Sequence, residues 1–152
     1  MQNWLEQTEA LVYSGRIKVP YRWWVGETGS RFFIALRDEK KILGTYCEKC
    51  RLVFIPPRKT CGRCFHPQME WRELGSQGTL PTWTVPRYRE AMHPLEPPFA
   101  YGIIKLNGAD TGLSHFLGEV EFDRIKIGMK VEPVFRKERQ GSILDIKYFK
   151  PV

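Results

Sequence analysis

The chain of 152 residues contains four cysteines, and they fall into two close pairs. Cys47 and Cys50 form the first pair, Cys61 and Cys64 form the second, and ten residues separate the pairs. A gap of two residues lets both thiolates of a pair face the same ion, and two such pairs complete a tetrahedral shell with bonds of about 2.3 Å. The spacing therefore predicts a structural four-cysteine zinc site on a zinc ribbon.

Other uses of the four cysteines stay open at this point. Two disulfides would suit a secreted mini-protein, an iron centre takes the same four sulfurs, and a Cys-x-x-Cys pair can act as a redox dithiol. The first residues, from Met1 to Glu6, show neither the basic nor the apolar part of a secretory signal. No apolar run approaches the roughly 20 residues of a membrane span. We therefore expect a cytoplasmic protein without a membrane segment, and a reducing compartment favours the metal.

The chain after the cysteines has the pattern of a β-domain. Its β-branched and aromatic residues form five runs with turn-rich links, and the segment from Arg87 to Phe99 contains three prolines typical of a long loop. Five strands in a chain of this size predict a small OB-fold barrel, which removes most free edges by closure. The predicted strands are about Gly78 to Pro86, Ala100 to Asn107, Ser114 to Phe122, Lys130 to Arg136 and Ser142 to Phe149.

The N-terminal part has a helical pattern interrupted by an aromatic arm. Apolar residues at helical spacing predict a short helix from Trp4 to Tyr13, and Ser30 is a candidate cap for a second helix from Arg31 to Lys40. The segment between them, from Ile17 to Gly29, reads as an extended arm with large aromatic side chains. We therefore divide the chain into an N-terminal helical segment with the arm (1–42), a zinc ribbon (43–74) and an OB-fold (75–152), a mainly β fold.

The sequence offers no catalytic residues for an enzyme acting alone. The metal takes all four cysteines, and the motifs Gly-x-Ser-x-Gly, His-Glu-x-x-His and a glycine-rich phosphate loop do not occur. The three histidines are far apart in the sequence: His66 follows the second cysteine pair, His93 lies in the proline-containing loop, and His115 lies in a predicted strand. A closed four-sulfur shell also leaves the metal no open coordination position, so we expect no catalysis at the zinc.

The basic charge raises the possibility of a nucleic-acid ligand. The chain has 24 Lys and Arg against 17 Asp and Glu, a net charge of +7. The predicted barrel carries little of that excess, because residues 76–152 hold about 11 basic and 9 acidic side chains. The strongest local patch is Arg87, Tyr88 and Arg89, which would suit a nucleotide or the phosphates of coenzyme A as well as a solvated loop. A single-strand nucleic-acid-binding protein stays the alternative function, although the charge pattern makes nucleic acid the weaker choice.

Several motifs together resemble one known family. They are Gly44-Thr45-Tyr46 before the first cysteine pair, Val53-Phe54-Ile55-Pro56-Pro57-Arg58 between the pairs, and Trp71, Gly78-Thr79-Leu80, Thr84-Val85, Pro98-Phe99-Ala100 and Ile127-Gly128-Met129-Lys130-Val131 after them. With both cysteine pairs, this set is similar to the DUF35 family of zinc-ribbon and OB-fold proteins associated with acyl-CoA. Many members have a glycine after the second cysteine of each pair, whereas this chain has Arg51 and Phe65.

The resemblance implies a rubredoxin-like ribbon and an accessory, non-catalytic subunit of a thiolase-fold enzyme. The catalytic cysteine and histidines would then reside on the partner, which would also bind most of the coenzyme A thioester. The barrel would shape the acyl-CoA entrance, and the resemblance implies an aromatic β-ketoacyl-CoA as the candidate substrate of the complex. In that setting the arm residues Tyr21, Arg22, Trp23 and Trp24 are candidates for partner docking. Packing of the arm on its own barrel is the open alternative.

Overall fold

The computed structural model describes residues 12–15, 19–67 and 69–152. The helix that we predict from Trp4 to Tyr13 lies outside the described residues except for its last two positions, and those two have no regular structure. Within the described residues, no helix has both the length and the apolar character needed to cross a membrane.

The helix before the ribbon starts earlier than the sequence predicts. Helix α1 spans Gly26–Ile34 and continues as one π-helical turn over Ala35–Glu39. The expected cap at Ser30 is therefore wrong, because Ser30 lies inside the helix. The chain enters the helix at Gly26, whose φ of 77° is a left-handed conformation that glycine adopts without strain. The predicted end agrees within a residue, since Lys40 is the left-handed residue that closes the last turn.

The cysteine region forms a small antiparallel sheet. Strand β1 spans Leu43–Cys47, β2 spans Leu52–Phe54 and β3 spans Glu70–Glu73. β1 lies in the middle and pairs with both of the others. The first cysteine is thus the last residue of the central strand, so the sheet fixes where the knuckle begins.

The C-terminal part is a closed five-stranded barrel, which confirms the predicted OB-fold. The strand order around it is β4-β5-β6-β8-β7, with β4 and β7 paired to close the circle. β6 and β8 are the parallel neighbours, and the other pairs are antiparallel. The strands are β4 (Gly78–Thr84), β5 (Ala100–Leu106), β6 (Leu113–Leu117), β7 (Met129–Phe135) and β8 (Ile146–Pro151).

Two of the predicted strand boundaries are wrong by more than two residues, and the others agree within two. The third predicted strand ends at Leu117 rather than Phe122, because Glu119 takes a positive φ of 53° that a strand does not allow. The fifth starts at Ile146 rather than Ser142. The buried Asp145 carboxylate accepts backbone N–H groups of Gln140, Gly141 and Ser142, and it holds this segment in a turn.

One apolar core joins the helix, the ribbon and the barrel. A single cluster of buried side chains draws members from all three parts. Leu36, Ile104 and Phe149 within it are fully buried. The three parts therefore bury their apolar faces against each other and form one folded body. The cluster includes Phe32 and Leu36 of the helical segment, Val53 and Ile55 of the ribbon, and Leu80, Ile104, Leu113 and Phe149 of the barrel.

Hydrogen bonds from the loop between β5 and β6 tie the barrel to the ribbon. The Val53 N–H donates to the Asp110 carboxylate at 2.7 Å, and the Asp110 N–H donates to the Val53 carbonyl at 2.9 Å. The Thr111 hydroxyl accepts from the Ile55 N–H at 2.7 Å and donates to the Ile55 carbonyl at 2.9 Å. These contacts satisfy the outer edge of β2, which pairs only with β1 within the described sheet.

We expect Thr111→Val to lower the free energy of unfolding by about 1–3 kcal/mol, because it removes the hydroxyl and leaves the Ile55 N–H and carbonyl unpaired. Thr111→Ser keeps the hydroxyl and is the matched control. Guanidinium unfolding of both variants at equal zinc content measures the difference. Equal stability of the Val and Ser variants would show that these hydrogen bonds contribute nothing.

Candidate functional site

The two cysteine pairs sit in similar backbone knuckles. In the first, the Arg51 N–H donates to the Cys47 carbonyl at 2.7 Å. In the second, the Phe65 N–H donates to the Cys61 carbonyl at 3.1 Å. Each knuckle ends on a left-handed residue, with φ of 55° at Arg51 and 59° at Phe65. This conformation explains why glycine suits the position after the second cysteine of each pair, where this chain has larger residues.

The four sulfur atoms converge on one point. All of them lie within 4.8 Å of one another. The Sγ atoms of Cys47 and Cys64 are 3.6 Å apart, and those of Cys50 and Cys61 are 3.9 Å apart. A tetrahedron with metal–sulfur bonds of about 2.3 Å has sulfur–sulfur edges of about 3.8 Å, so the cluster fits a four-coordinate zinc ion. The distances are far longer than the roughly 2.05 Å of a disulfide bond.

The cluster is electrostatically unsuited to four bare thiolates. Hydrogen bonding to the Cys64 thiol, together with burial, raises the pKa of Cys50 to about 12. Backbone N–H groups of Cys64 and Arg63 lower the pKa of Cys61 to about 6. One sulfur is thus readily ionised and its neighbour resists ionisation. A divalent cation supplies the positive charge that lets all four lose their protons.

The surroundings of the cluster favour a structural role for this metal. Cys47 and Cys61 are fully buried, and Phe54 packs against them. The Thr45 hydroxyl, itself buried, accepts from the Arg58 N–H at 2.8 Å and donates to the Arg58 carbonyl at 3.1 Å, which fixes the return toward the second pair. Because four cysteines fill a tetrahedral shell, the site has no position for a substrate.

The predicted phosphate-contact residues lie on the surface of the loop after β4. Arg87, Tyr88 and Arg89 are all exposed. The Arg89 guanidinium pairs with the Glu96 carboxylate at 3.0 Å across the same loop. The Tyr88 ring lies 5.4 Å from the His93 ring, centroid to centroid. The structure therefore keeps these residues together, and their contact with acyl-CoA stays a prediction.

The predicted docking residues are also exposed. Tyr21, Trp23 and Trp24 have exposed fractions of 76%, 69% and 75%, and Arg22 is exposed as well. These fractions leave much of each side chain available to a partner, and the docking role of the arm stays a prediction. Trp23 borders a groove whose other walls come from α1, the Pro56-Pro57 segment and β6.

Sequence reasoning missed a cluster of aromatic side chains on the barrel. His93, Phe99, Tyr101 and Phe116 lie close to one another around a cavity, although they come from a loop and two strands. His93 had no sequence signal beyond its place in a proline-rich loop. The alternation in β5 and β6 puts Tyr101 and Phe116 on the outer face, and this pattern was the one available hint.

The fold and the cysteine cluster define a class of protein in which a zinc ribbon precedes an OB-fold barrel. Comparison with family models identifies both the zinc ribbon and the OB-fold. Residues 35–70 match the rubredoxin-like zinc ribbon domain of ChsH2, and residues 71–136 match the C-terminal OB-fold domain of ChsH2.

The chain belongs to the DUF35 family, as its motifs predict. It is 31% identical over 127 residues to a DUF35 domain-containing scaffold protein of Pyrococcus furiosus, which covers 81% of this chain and 92% of that protein. A scaffold protein of the same description from Methanocaldococcus jannaschii is 24% identical over 122 residues, covering 77% of this chain and 86% of that protein.

Two solved structures share the fold. The structure titled "Ltp2-ChsH2(DUF35) aldolase" matches with a TM-score of 0.63 and 21% identity, covering 86% of this chain and 98% of that chain. A DUF35 protein of unknown function from Sulfolobus solfataricus matches with a TM-score of 0.58 and 25% identity, covering 72% of this chain and 78% of that chain.

We expect Cys61→Ser to release zinc and to unfold the ribbon, because metal binding supplies folding free energy in sites of this kind. Zinc content per chain and thermal melting measure both effects. Thr60→Ser, at the exposed neighbouring position, is the control. Parent-like zinc content and melting temperature in the Cys61 variant would contradict the site.

We expect Phe65→Gly to stabilise the zinc-loaded protein by about 1 kcal/mol, because glycine adopts a positive φ without the strain that a side chain adds. The loss of burial is small, since Phe65 is 77% exposed. Phe65→Ala keeps the Cβ atom and should not stabilise. Melting temperatures of the three proteins test the strain, and a gain in the alanine variant equal to that in the glycine variant would refute it.

Proposed function

We propose that this chain is a non-catalytic accessory subunit of an enzyme complex that acts on acyl-CoA, and that its partner is a thiolase-fold subunit. The exposed aromatic arm carries the proposal. Three aromatic side chains within four residues each leave more than two thirds of their surface exposed. Trp, Tyr and Arg supply most strong anchors of protein interfaces, and the arm contains all three types.

The chemistry of the chain supports a role without catalysis of its own. The cysteine cluster takes every thiol, so no free nucleophile of that type remains. Zinc, when bound there, supplies folding energy and holds the two knuckles together. The thioester chemistry therefore needs a cysteine and histidines on another chain, which is the arrangement of a thiolase-fold enzyme.

The relatives support a role in assembly. The proteins from Pyrococcus furiosus and Methanocaldococcus jannaschii are described as scaffold proteins, and a solved structure with the same fold bears the name of an aldolase with a DUF35 component. We extend that role to this chain, with an acyl-CoA as the substrate of the complex. An aromatic β-ketoacyl-CoA is the narrower proposal for the acyl group.

The alternative of a single-strand nucleic-acid-binding protein gains little from the structure. OB-folds bind oligonucleotides on the face of their second and third strands, which are β5 and β6 in this barrel. The only Lys or Arg in these two strands is Lys105. A phosphate backbone needs a track of positive charge along that face, so this surface suits a small ligand better.

We expect Trp24→Ala to weaken assembly with the catalytic subunit about 30-fold, because an anchor of this type contributes about 2 kcal/mol or more. Coexpression with a thiolase-fold subunit from the same genome, followed by titration and light scattering, measures the affinity. Ile127→Ala, which alters an apolar side chain of similar exposure on the barrel, is the control.

Two results would overturn the proposed function. The first is a parent chain that stays unassociated with the thiolase-fold subunit up to micromolar concentrations. The second is thioester turnover by the purified chain alone at the rate of the complex.

A further inference from the structure

A concave site lies on the outside of the barrel, and none of the four cysteines lines it. It shares Ser114 and Ile143 with the groove that Trp23 of the arm borders. Its volume is about 350 Å³, within the range of small-molecule sites. Its floor comes from β5 and β6, one wall from the loop that follows β4, and another wall from the turn before β8. The lining residues used below are His93, Phe99, Tyr101, His115, Phe116 and Leu144.

The walls of this cavity are aromatic rings that already hold one another in place. The His93 and Phe99 rings meet edge to face, with centroids 5.3 Å apart and an interplanar angle of 87°. Phe99 contacts Phe116 in a similar way at 6.0 Å, and it stacks on Tyr101 at 6.2 Å. A flat aromatic ring inserted between such walls finds both edge-to-face and stacked partners.

Two polar side chains of the lining bear on a ligand: His93, and the exposed Ser114 with its hydroxyl. The Nδ1 atom of His93 is buried and has no hydrogen-bond partner in the part of the chain that the structure describes. Buried polar atoms are normally paired, so this one favours a ligand that completes the pair.

His115, the second imidazole at the cavity, is not available for binding. Its Nδ1 accepts from the Phe116 N–H at 2.9 Å, and its Nε2 lies 3.1 Å from the Ile143 carbonyl. These two partners suit the neutral ring that carries its proton on Nε2. Burial also lowers the pKa of His115, which keeps the ring neutral. His115 therefore acts as a fixed wall and not as a base.

The position of the cavity agrees with the general use of this fold. Ligands of OB-folds bind on the face of the second and third strands, between the loop after the first strand and the loop before the fifth. In this barrel those elements are β5, β6, the loop that contains His93, and the turn that contains Leu144. The cavity thus lies on the face with which OB-folds usually bind their ligands.

We propose that this cavity binds the aromatic ring of an acyl thioester, with His93 Nδ1 hydrogen-bonded to a carbonyl oxygen of the acyl group. The choice of an aromatic ring as the ligand group follows from the aromatic walls of the cavity. The choice of a thioester rests on the function proposed above. Arg87 lies on the same loop as His93, where its exposed charge suits the phosphates of coenzyme A, whereas Arg89 is already paired with Glu96. The barrel would then select the acyl group before the partner acts on it.

Calorimetry with the zinc-loaded full chain tests the ring site, using benzoyl-CoA, acetyl-CoA and coenzyme A as probes. We expect benzoyl-CoA to bind at least about tenfold more tightly than acetyl-CoA. Leu144→Trp, which fills the cavity from its rim, should abolish that preference. Leu144→Met conserves volume and should keep it. Melting temperatures confirm that each variant is folded.

The polar contact has a separate test. His93→Phe keeps an aromatic ring in the wall and removes the nitrogen, so we expect about tenfold weaker binding of benzoyl-CoA with little change for coenzyme A. Retention of full benzoyl-CoA affinity in this variant would overturn the role of His93.

Three outcomes would overturn the ring site. They are equal affinities for benzoyl-CoA and acetyl-CoA, an unchanged preference in Leu144→Trp, and displacement of benzoyl-CoA by a short deoxythymidine oligonucleotide. Assembly with the thiolase-fold subunit is measured separately on the same variants. A parent chain that assembles but shows no ring preference would remove this inference alone, whereas a parent chain that shows the ring preference but does not assemble would remove the proposed function alone.

Discussion

The convergence of four cysteine sulfurs on one point is the constraint on which the rest of the structure depends. It fixes both knuckles, and with them the three-stranded ribbon whose central strand ends at Cys47. The ribbon in turn presents the edge of β2 to Asp110 and Thr111, so the barrel and the ribbon are joined by hydrogen bonds as well as by a shared core. A small chain gains from such a joint because a single ribbon sheet buries too little apolar surface to be stable alone.

The same constraint decides what kind of chemistry the chain can support. Once the metal takes the four thiols, no cysteine remains as a free nucleophile, and the proposed role rests on binding surfaces. Two such surfaces stand out, and they differ in character. The arm around Trp24 is exposed and irregular, which suits a large partner, whereas the cavity beside His93 is concave and bounded by rings, which suits a small ligand. The two surfaces would serve one complex if the cavity receives the acyl group of the partner's substrate.

The sequence predictions were accurate where a local sequence pattern determines the structure, and inaccurate where contacts of single residues determine it. Ligand spacing and strand alternation are local patterns, so the metal site and the five barrel strands were predicted closely. The start of α1 was missed because Gly26 reads as a helix breaker, although its positive φ is what turns the chain into the helix. The start of β8 was missed because Asp145 holds a turn through three backbone N–H groups, a set of contacts that no periodicity reveals.

The sequence by itself determined the four ligands, the mainly β fold and the family, because each depends on residue identity and short spacing. Only the tertiary structure decided that Arg51 and Phe65 take left-handed conformations, and that the arm is exposed. It alone also brought His93 from a loop against Phe99 and left Nδ1 buried without a partner among the described residues. Such features arise where segments distant in the chain meet, and packing between them is not written in any local pattern.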